Sequence, residues 1–224
     1  MVALLFLATL ASAADRTDDW ARLPFYREAN AQLGPPSRTR VVFIGDSITE
    51  GWAGQPSFKN NPDFVGRGIG GQTLPQMLVR FRADAIELKP AVIHLMGGTN
   101  DVAENTGPES DAEIQGYVMS MVELARAHGI VVVLAAIPPA SDFPWRPGLN
   151  PASRIKRLNA WLHDYATRQS LVYVDYGSVL ATSEGGMKRE FSEDGVHPNA
   201  AGYAAMQPLA SAAIRQARAL ETRR

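Results

Sequence analysis

No cysteine occurs among the 224 residues. That absence removes disulfides, thiolate zinc sites and cysteine nucleophiles together, and leaves any covalent catalysis to Ser, Thr, Asp, Glu, Lys, His or Tyr. An excess of charge of either sign is also missing, since 22 Lys and Arg face 23 Asp and Glu for a formal net charge of −1. A nucleic-acid binder normally presents a basic surface to the phosphates, so the balance argues against that class and against a polyanionic substrate. Nor does the N-terminal apolar run, Val2 to Ala13, reach the ~20 residues that a membrane-spanning helix needs. It closes on Ala11-Ser12-Ala13-Ala14. An apolar run ending in small residues has the form of a secretory signal peptide, although no Lys or Arg follows Met1. An apolar helix folded onto the domain is the competing reading. The expected organisation is a signal-like segment over residues 1–14 and one domain over residues 15–224, periplasmic or secreted. A cytoplasmic location goes with the competing reading.

What is present is ordinary globular material, with 46% of residues apolar and enough of them for a core. Short runs rich in Val, Ile and Leu stand at Arg40 to Ile44, Ala91 to Met96, Ile130 to Ile137 and Leu171 to Val174, with a weaker one at Phe64 to Ile69. Runs apolar on both faces read as buried parallel strands. Helical patterns fill Leu74 to Leu88, Asp111 to His128, Ala152 to Gln169 and Ala200 to Ala219, and Trp20 to Leu33 precedes the first strand as another. This alternation predicts βαβ units in a three-layer α/β/α sandwich, whose ligand site lies at the carboxyl ends of the strands.

Three segments at those ends carry polar groups, and a fourth follows the last strand. The first strand runs into Gly45-Asp46-Ser47, where a serine stands at the start of a helix; a plain helix cap is the bland reading. No Gly-x-Ser-x-Gly elbow occurs. Gly66 to Thr73 matches a dinucleotide or P-loop pattern on paper, but Gln72 stands where a P-loop needs Lys. A bare backbone N–H brought close to a reacting carbonyl is the better use of those glycines. Gly97-Gly98-Thr99-Asn100-Asp101 ends another strand, and its Asn100 amide is a strong neutral donor of the kind a developing oxyanion needs. Asp194-Gly195-Val196-His197 places a carboxylate three residues from an imidazole. Of the other histidines, His94 is expected in the core, His128 at a helix end and His163 on the surface. Asp175, ending the last strand, is the rival carboxylate for His197.

Taken together, the four blocks resemble the SGNH (GDSL-type) hydrolase family: Gly45-Asp46-Ser47, Gly68-Ile69-Gly70-Gly71, Gly98-Thr99-Asn100-Asp101 and Asp194-Gly195-Val196-His197. In overall pattern the chain is most similar to bacterial relatives of platelet-activating-factor acetylhydrolase catalytic subunits. Gln72 departs from the pattern, since many relatives carry Asp there. The resemblance implies a flavodoxin-like sheet of five parallel strands. It implies Ser47 as nucleophile, His197 as general base and then acid, and Asp194 as the group that orients His197. It implies an oxyanion hole from the backbone N–H groups of Ser47 and Gly71 with the Asn100 side chain. No metal or organic cofactor is implied. Asp46 and Asp101 are expected to brace the loops.

In the loop after the fourth strand, Phe143 and Trp145 are expected either to wall an acyl site or to pack the loop down. The connections are short, which favours short acyl groups. The expected activity is hydrolysis of short carboxylic esters, including O-acetylated carbohydrate. The alternatives are lysophospholipase, thioesterase or arylesterase action at the same site, or nucleotide binding by Gly66 to Thr73. The expected partner is a small-molecule or carbohydrate ester, with no nucleic acid and no stable membrane insertion.

Overall fold

A computed structural model describes residues 19–221, so the signal-like segment lies outside the described residues. Five strands form the centre: β1 (Val41–Gly45), β2 (Phe64–Gly68), β3 (Val92–Met96), β4 (Val131–Ala135) and β5 (Val172–Val174). Every residue of β1, β3 and β4 is buried, which is why each reads as an unbroken apolar run. The strands pair parallel throughout, in the order β2-β1-β3-β4-β5. Helices connect them: α1 (Arg27–Ala31), α2 (Ser47–Ala53), α3 (Pro56–Lys59), α4 (Leu74–Asp84), α5 (Thr99–Val102), α6 (Asp111–Ala127), α7 (Ala152–Arg168), α8 (Gly177–Leu180) and α9 (Ala200–Glu221).

Alternate side chains along each strand feed two separate cores. Val42, Ile44, Ile93, Leu95, Val132 and Leu134 pack with residues of α4, α6 and α7. Val41, Phe43, Val92, Val131 and Val133 pack on the other face with Trp52 of α2 and with Tyr203, Met206 and Ile214 of α9. These are the two faces of the three-layer sandwich.

The sheet order reverses direction between β1 and β3, and in such sheets the crevice beyond that point is where ligands sit. Register makes the point concrete. Gly45 at the end of β1 is level with Gly68 of β2 and with Met96 of β3, so three loops leave the sheet side by side. A buried arginine ties two of them together. Arg80 on α4 donates to the Gly45 carbonyl at 2.9 Å, to Gln72 Oε1 at 2.5 Å and to Asp84 Oδ2 at 3.2 Å, with its side chain fully buried.

The helical expectations need two corrections. Trp20 to Leu33 is not one helix: only Arg27–Ala31 is helical, and turns occupy most of the rest. Pro24 lacks an N–H, disfavours helix at Leu23, and leaves the Leu23 N–H to the Asp19 carboxylate at 2.7 Å. The segment is instead pinned to α4 and the loop before it by side chains, with Gln72 Nε2 on the Ala21 carbonyl at 2.8 Å and Gln76 Nε2 on that of Trp20 at 2.7 Å. Leu74 to Leu88 breaks at Ala85, where φ is −134°, and resumes as a 3-10 turn over Ile86–Leu88. Ala85, Ile86 and Leu88 all enter the core around the break. The last helix starts at Ala200 as expected, with Asn199 Oδ1 accepting the Gly202 N–H at 3.0 Å as its cap.

Arg80→Ala leaves Asp84 buried beside a vacated site and leaves the Gly45 carbonyl and Gln72 without their donor. We expect it to lower unfolding free energy by roughly 3–5 kcal/mol. Urea denaturation checks this, and a loss under about 1 kcal/mol, the size of one ordinary hydrogen bond, would show the network to be dispensable.

Candidate active site

Ser47 is the first residue of α2, and Asp46 caps the helix by accepting the Ile48 N–H at 3.0 Å. The turn from β1 into this helix tolerates no side chain at Gly45, where a Cβ would lie 2.1 Å from Thr49 Oγ1 and 2.6 Å from the Met96 carbonyl. Ser47 Oγ lies 2.9 Å from His197 Nε2, although 150 residues separate the two in sequence. On the other side of the ring, His197 Nδ1 meets Asp194 Oδ2 at 2.6 Å. Asp194 Oδ1 accepts the backbone N–H groups of His197 at 2.8 Å and Val196 at 2.9 Å.

Burial alone would raise the Asp194 carboxyl, but the ring and backbone hydrogen bonds overcome it and hold the group down at about 2. An ionised Asp194 only accepts, so the proton sits on Nδ1 and Nε2 faces the Ser47 hydroxyl with a free lone pair. The rival, Asp175, accepts the Gly177 N–H at 2.8 Å and lines a different cavity of about 430 Å³, between the start of α7 and the segment after β5.

Ser47, Gly71, Asn100, Asn105, Trp145 and His197 line an open cavity of about 260 Å³. Among the described residues, no acceptor takes the backbone N–H of Ser47 or of Gly71. Gly71 has φ +77°, in the left-handed region that favours glycine. Asn100 is buried and donates from Nδ2 to the Gln72 carbonyl at 3.0 Å. Gln72 is buried too, accepting from Arg80 and donating to the Ala21 carbonyl. An amide does both, which an Asp at this position would not.

The two aromatics of the loop after β4 part company. Phe143 is fully buried and belongs to the core, so it is not a cavity wall. Trp145 stacks on it with ring centroids 5.2 Å apart, remains 41% exposed, and lines the cavity with its ring 5.9 Å from that of His197. Sequence reasoning missed Asn105, which sits in the Glu104-Asn105-Thr106-Gly107 turn and reads locally as nothing more than loop.

The remaining titratable groups brace the site. Burial raises Asp46 to about 6 against the pull of its Ile48 N–H bond and the nearby His197. Asp101 Oδ1 accepts the Leu74 N–H at 2.9 Å, joining the β3 loop to the start of α4. Burial and the neighbouring Glu109 raise Asp101 well above the ordinary carboxyl range. Glu109 is raised by its own burial and its acidic neighbour Glu113. Asp101 Oδ2 and Glu109 Oε2 are both buried with no hydrogen-bond partner among the described residues, and two neighbouring carboxyls in that setting disfavour carrying charge together. His94 is buried, hydrogen bonded through Nε2 to the Tyr176 hydroxyl at 2.8 Å, and lowered by burial to about 3, so it stays neutral. His163 lies on the surface, as does His128 at the end of α6. Among the described residues no group of three or more His, Asp and Glu side chains is placed to hold a metal ion.

The nucleotide pattern does not survive the geometry. Gly66 and Gly68 lie inside β2 instead of in a loop, and the Gly70 N–H is taken by the Glu50 carboxylate at 2.8 Å. A carboxylate there opposes a phosphate.

Residues 43–205 match the model of the GDSL-like lipase/acylhydrolase family. The chain belongs to that family. A solved structure from Bacteroides fragilis, assigned as an acylhydrolase, is 44% identical, with TM-score 0.86 over 89% of this chain and 99% of that one. The acetylxylan esterase Axe2 of Geobacillus stearothermophilus shares the fold at 18% identity, with TM-score 0.61 over 80% of this chain and 95% of that one. A lipoprotein of Bacillus subtilis, YqeF, is 31% identical over 112 residues, 42% of this chain. That match spans a little under half of YqeF, 46% of its length.

The raised Asp101–Glu109 pair has a consequence for stability. Both carboxyls bind protons more tightly folded than unfolded, so their contribution is full in acid and is lost as pH rises from the ordinary carboxyl range through the raised values. Asp101→Asn keeps an oxygen for the Leu74 N–H and offers Glu109 an N–H. We expect the variant to lose less stability than the wild type between about pH 5 and pH 9, read as urea midpoints.

Proposed function

We propose that this chain is a serine esterase acting on short-chain carboxylic esters through an acyl-enzyme. The observation that carries the reading is the continuous Asp194–His197–Ser47 relay, with 2.6 Å and 2.9 Å contacts, opening into a cavity lined by Gly71 and Asn100. In this reading Ser47 Oγ attacks the ester carbonyl carbon while His197 Nε2 takes its proton, and Asp194 stabilises the imidazolium. The negative charge moves to the former carbonyl oxygen, where the N–H groups of Ser47 and Gly71 and the Asn100 amide receive it. Collapse breaks the bond to the alcohol, which leaves with the proton from His197. Water then repeats the sequence on the acyl-serine, with His197 as base, releasing the acid and free Ser47.

Trp145 bounds a cavity of only about 260 Å³, which favours acetyl and similarly short acyl groups. The open rim leaves the alcohol half unconstrained, and the acetylxylan esterase among the structural neighbours supports an O-acetylated carbohydrate as one class of substrate. The signal-like start and the lipoprotein relative support action in the cell envelope or outside it. Among the described residues no helix is long and apolar enough to cross a membrane.

Hydrolysis of p-nitrophenyl acetate tests the mechanism: Ser47→Ala should fall to the background rate, and equal rates for variant and wild type would sink the reading. Asn100→Ala should remain folded and lose roughly 10²–10³ in kcat, the usual cost of one oxyanion donor. Trp145→Ala should raise the butyrate-to-acetate ratio of kcat/KM, whereas an unchanged ratio would remove Trp145 from acyl selection. N-terminal sequencing of the exported protein should find a start near Ala14 or Asp15.

A further inference from the structure

Three side chains at the rim of the cavity are hydrogen bonded in a row, and the row has a direction. Trp145 Nε1 donates to Asn105 Oδ1 at 3.0 Å, Asn105 Nδ2 donates to Asn100 Oδ1 at 2.8 Å, and Asn100 Nδ2 donates to the Gln72 carbonyl at 3.0 Å. Both ends of the row are chemically fixed, because an indole N–H only donates and a main-chain carbonyl only accepts. Each amide between them must therefore point its oxygen toward Trp145 and its nitrogen toward Gln72. An amide turned over would set donor against donor at one end and acceptor against acceptor at the other.

The direction matters because the two ends of an Asn amide are nearly the same size, so packing alone does not choose between them. With nitrogen forward, one N–H of Asn100 serves Gln72 and the other remains for a developing oxyanion. Its only other acceptor among the described residues, Asp46 Oδ2, is held at 3.5 Å, a long and weak contact that a developing oxyanion can displace. With oxygen forward, the same side chain would repel the charge it is meant to receive.

Asn105 is held firmly enough to transmit this choice. Glu104 before it has φ +57°, turning the chain back so that the Asn105 N–H reaches the Asn100 carbonyl at 3.0 Å. Its side-chain nitrogen also lies 3.3 Å from the Gly71 carbonyl, on the loop that supplies the other oxyanion donor. An ion pair, Arg146 to Glu104 at 2.8 Å, ties the Trp145 loop to the Asn105 loop a second time.

We propose that Asn105 is a positioning residue for the ester hydrolysis, passing the fixed hydrogen-bonding sense of the Trp145 indole to Asn100 and keeping the Asn100 N–H aimed into the site. The inference rests on the reading of Asn100 as an oxyanion donor.

A double-mutant cycle with p-nitrophenyl acetate tests it, using Asn105→Ala, Asn100→Ala and the pair. Asn105→Ala should lower kcat about ten-fold or more with little change in KM, short of the ~10²–10³ expected for losing the donor itself. In the Asn100→Ala background the same change should cost less than about three-fold, since no amide remains to be oriented. Asn105→Asp keeps an oxygen for Trp145 but has no N–H for Asn100, and should lose at least as much kcat as Asn105→Ala. A wild-type kcat for Asn105→Ala, or an equal loss with and without Asn100, overturns the proposal; a merely structural role predicts the equal loss. Should Asn105→Ala fail to fold, the near-isosteric Asn105→Asp runs the same cycle. Ser47→Ala retaining activity would instead defeat the esterase reading, so the two failures are distinguishable.

Discussion

A fully buried cation holds the catalytic face in shape. Arg80 has no route to water and spends its guanidinium on the last carbonyl of β1, the Gln72 side chain and Asp84. A charge removed from water in this way persists only when its donors are matched. Its partners are placed accordingly: the Gly45 carbonyl fixes where the chain turns toward Ser47, and Gln72 fixes the loop that presents Gly71. Because the Gln72 carbonyl in turn accepts from Asn100, one side chain on α4 braces the three neighbouring strand ends at once.

Three aspartates near the site show how environment divides one residue type into different tasks. Asp194 is about two-fifths exposed and held low by bonds that favour its charge, so it faces the imidazole as an anion over the whole working range. Asp46 and Asp101 are buried and pushed upward, and they bind backbone N–H groups at the starts of α2 and α4. The separation keeps a fixed negative charge beside the His197 ring, while the two buried carboxyls anchor helix starts.

Much of this was legible in the sequence, for identifiable reasons. Strands buried on both faces leave continuous apolar runs, so β1, β3 and β4 stand out, and three of the four polar blocks are recognisable because they fall at strand ends, with Asp194 to His197 following well after the last strand. What stayed hidden depends on contacts between distant segments. Phe143 and Trp145 are two residues apart in one Pro-rich loop, and only the fold decides that one enters the core while the other faces the cavity. Asn105 carries no local mark, since its partners come from positions 71, 100 and 145. The start of the described chain was over-read as a long helix because its apolar residues satisfy a helical period. In the structure its backbone carbonyls serve α4 and the loop before it.

That last arrangement bears on how the protein comes into being. The carbonyls of Trp20 and Ala21 support the Gly71 loop, whereas His197 reaches Ser47 across 150 residues of chain. The face is thus stitched from segments far apart in the sequence, and contacts of such separation are slow to form. A nascent chain carries Ser47 long before it carries His197. Such a site exists only in the folded chain, because no single segment holds more than part of it.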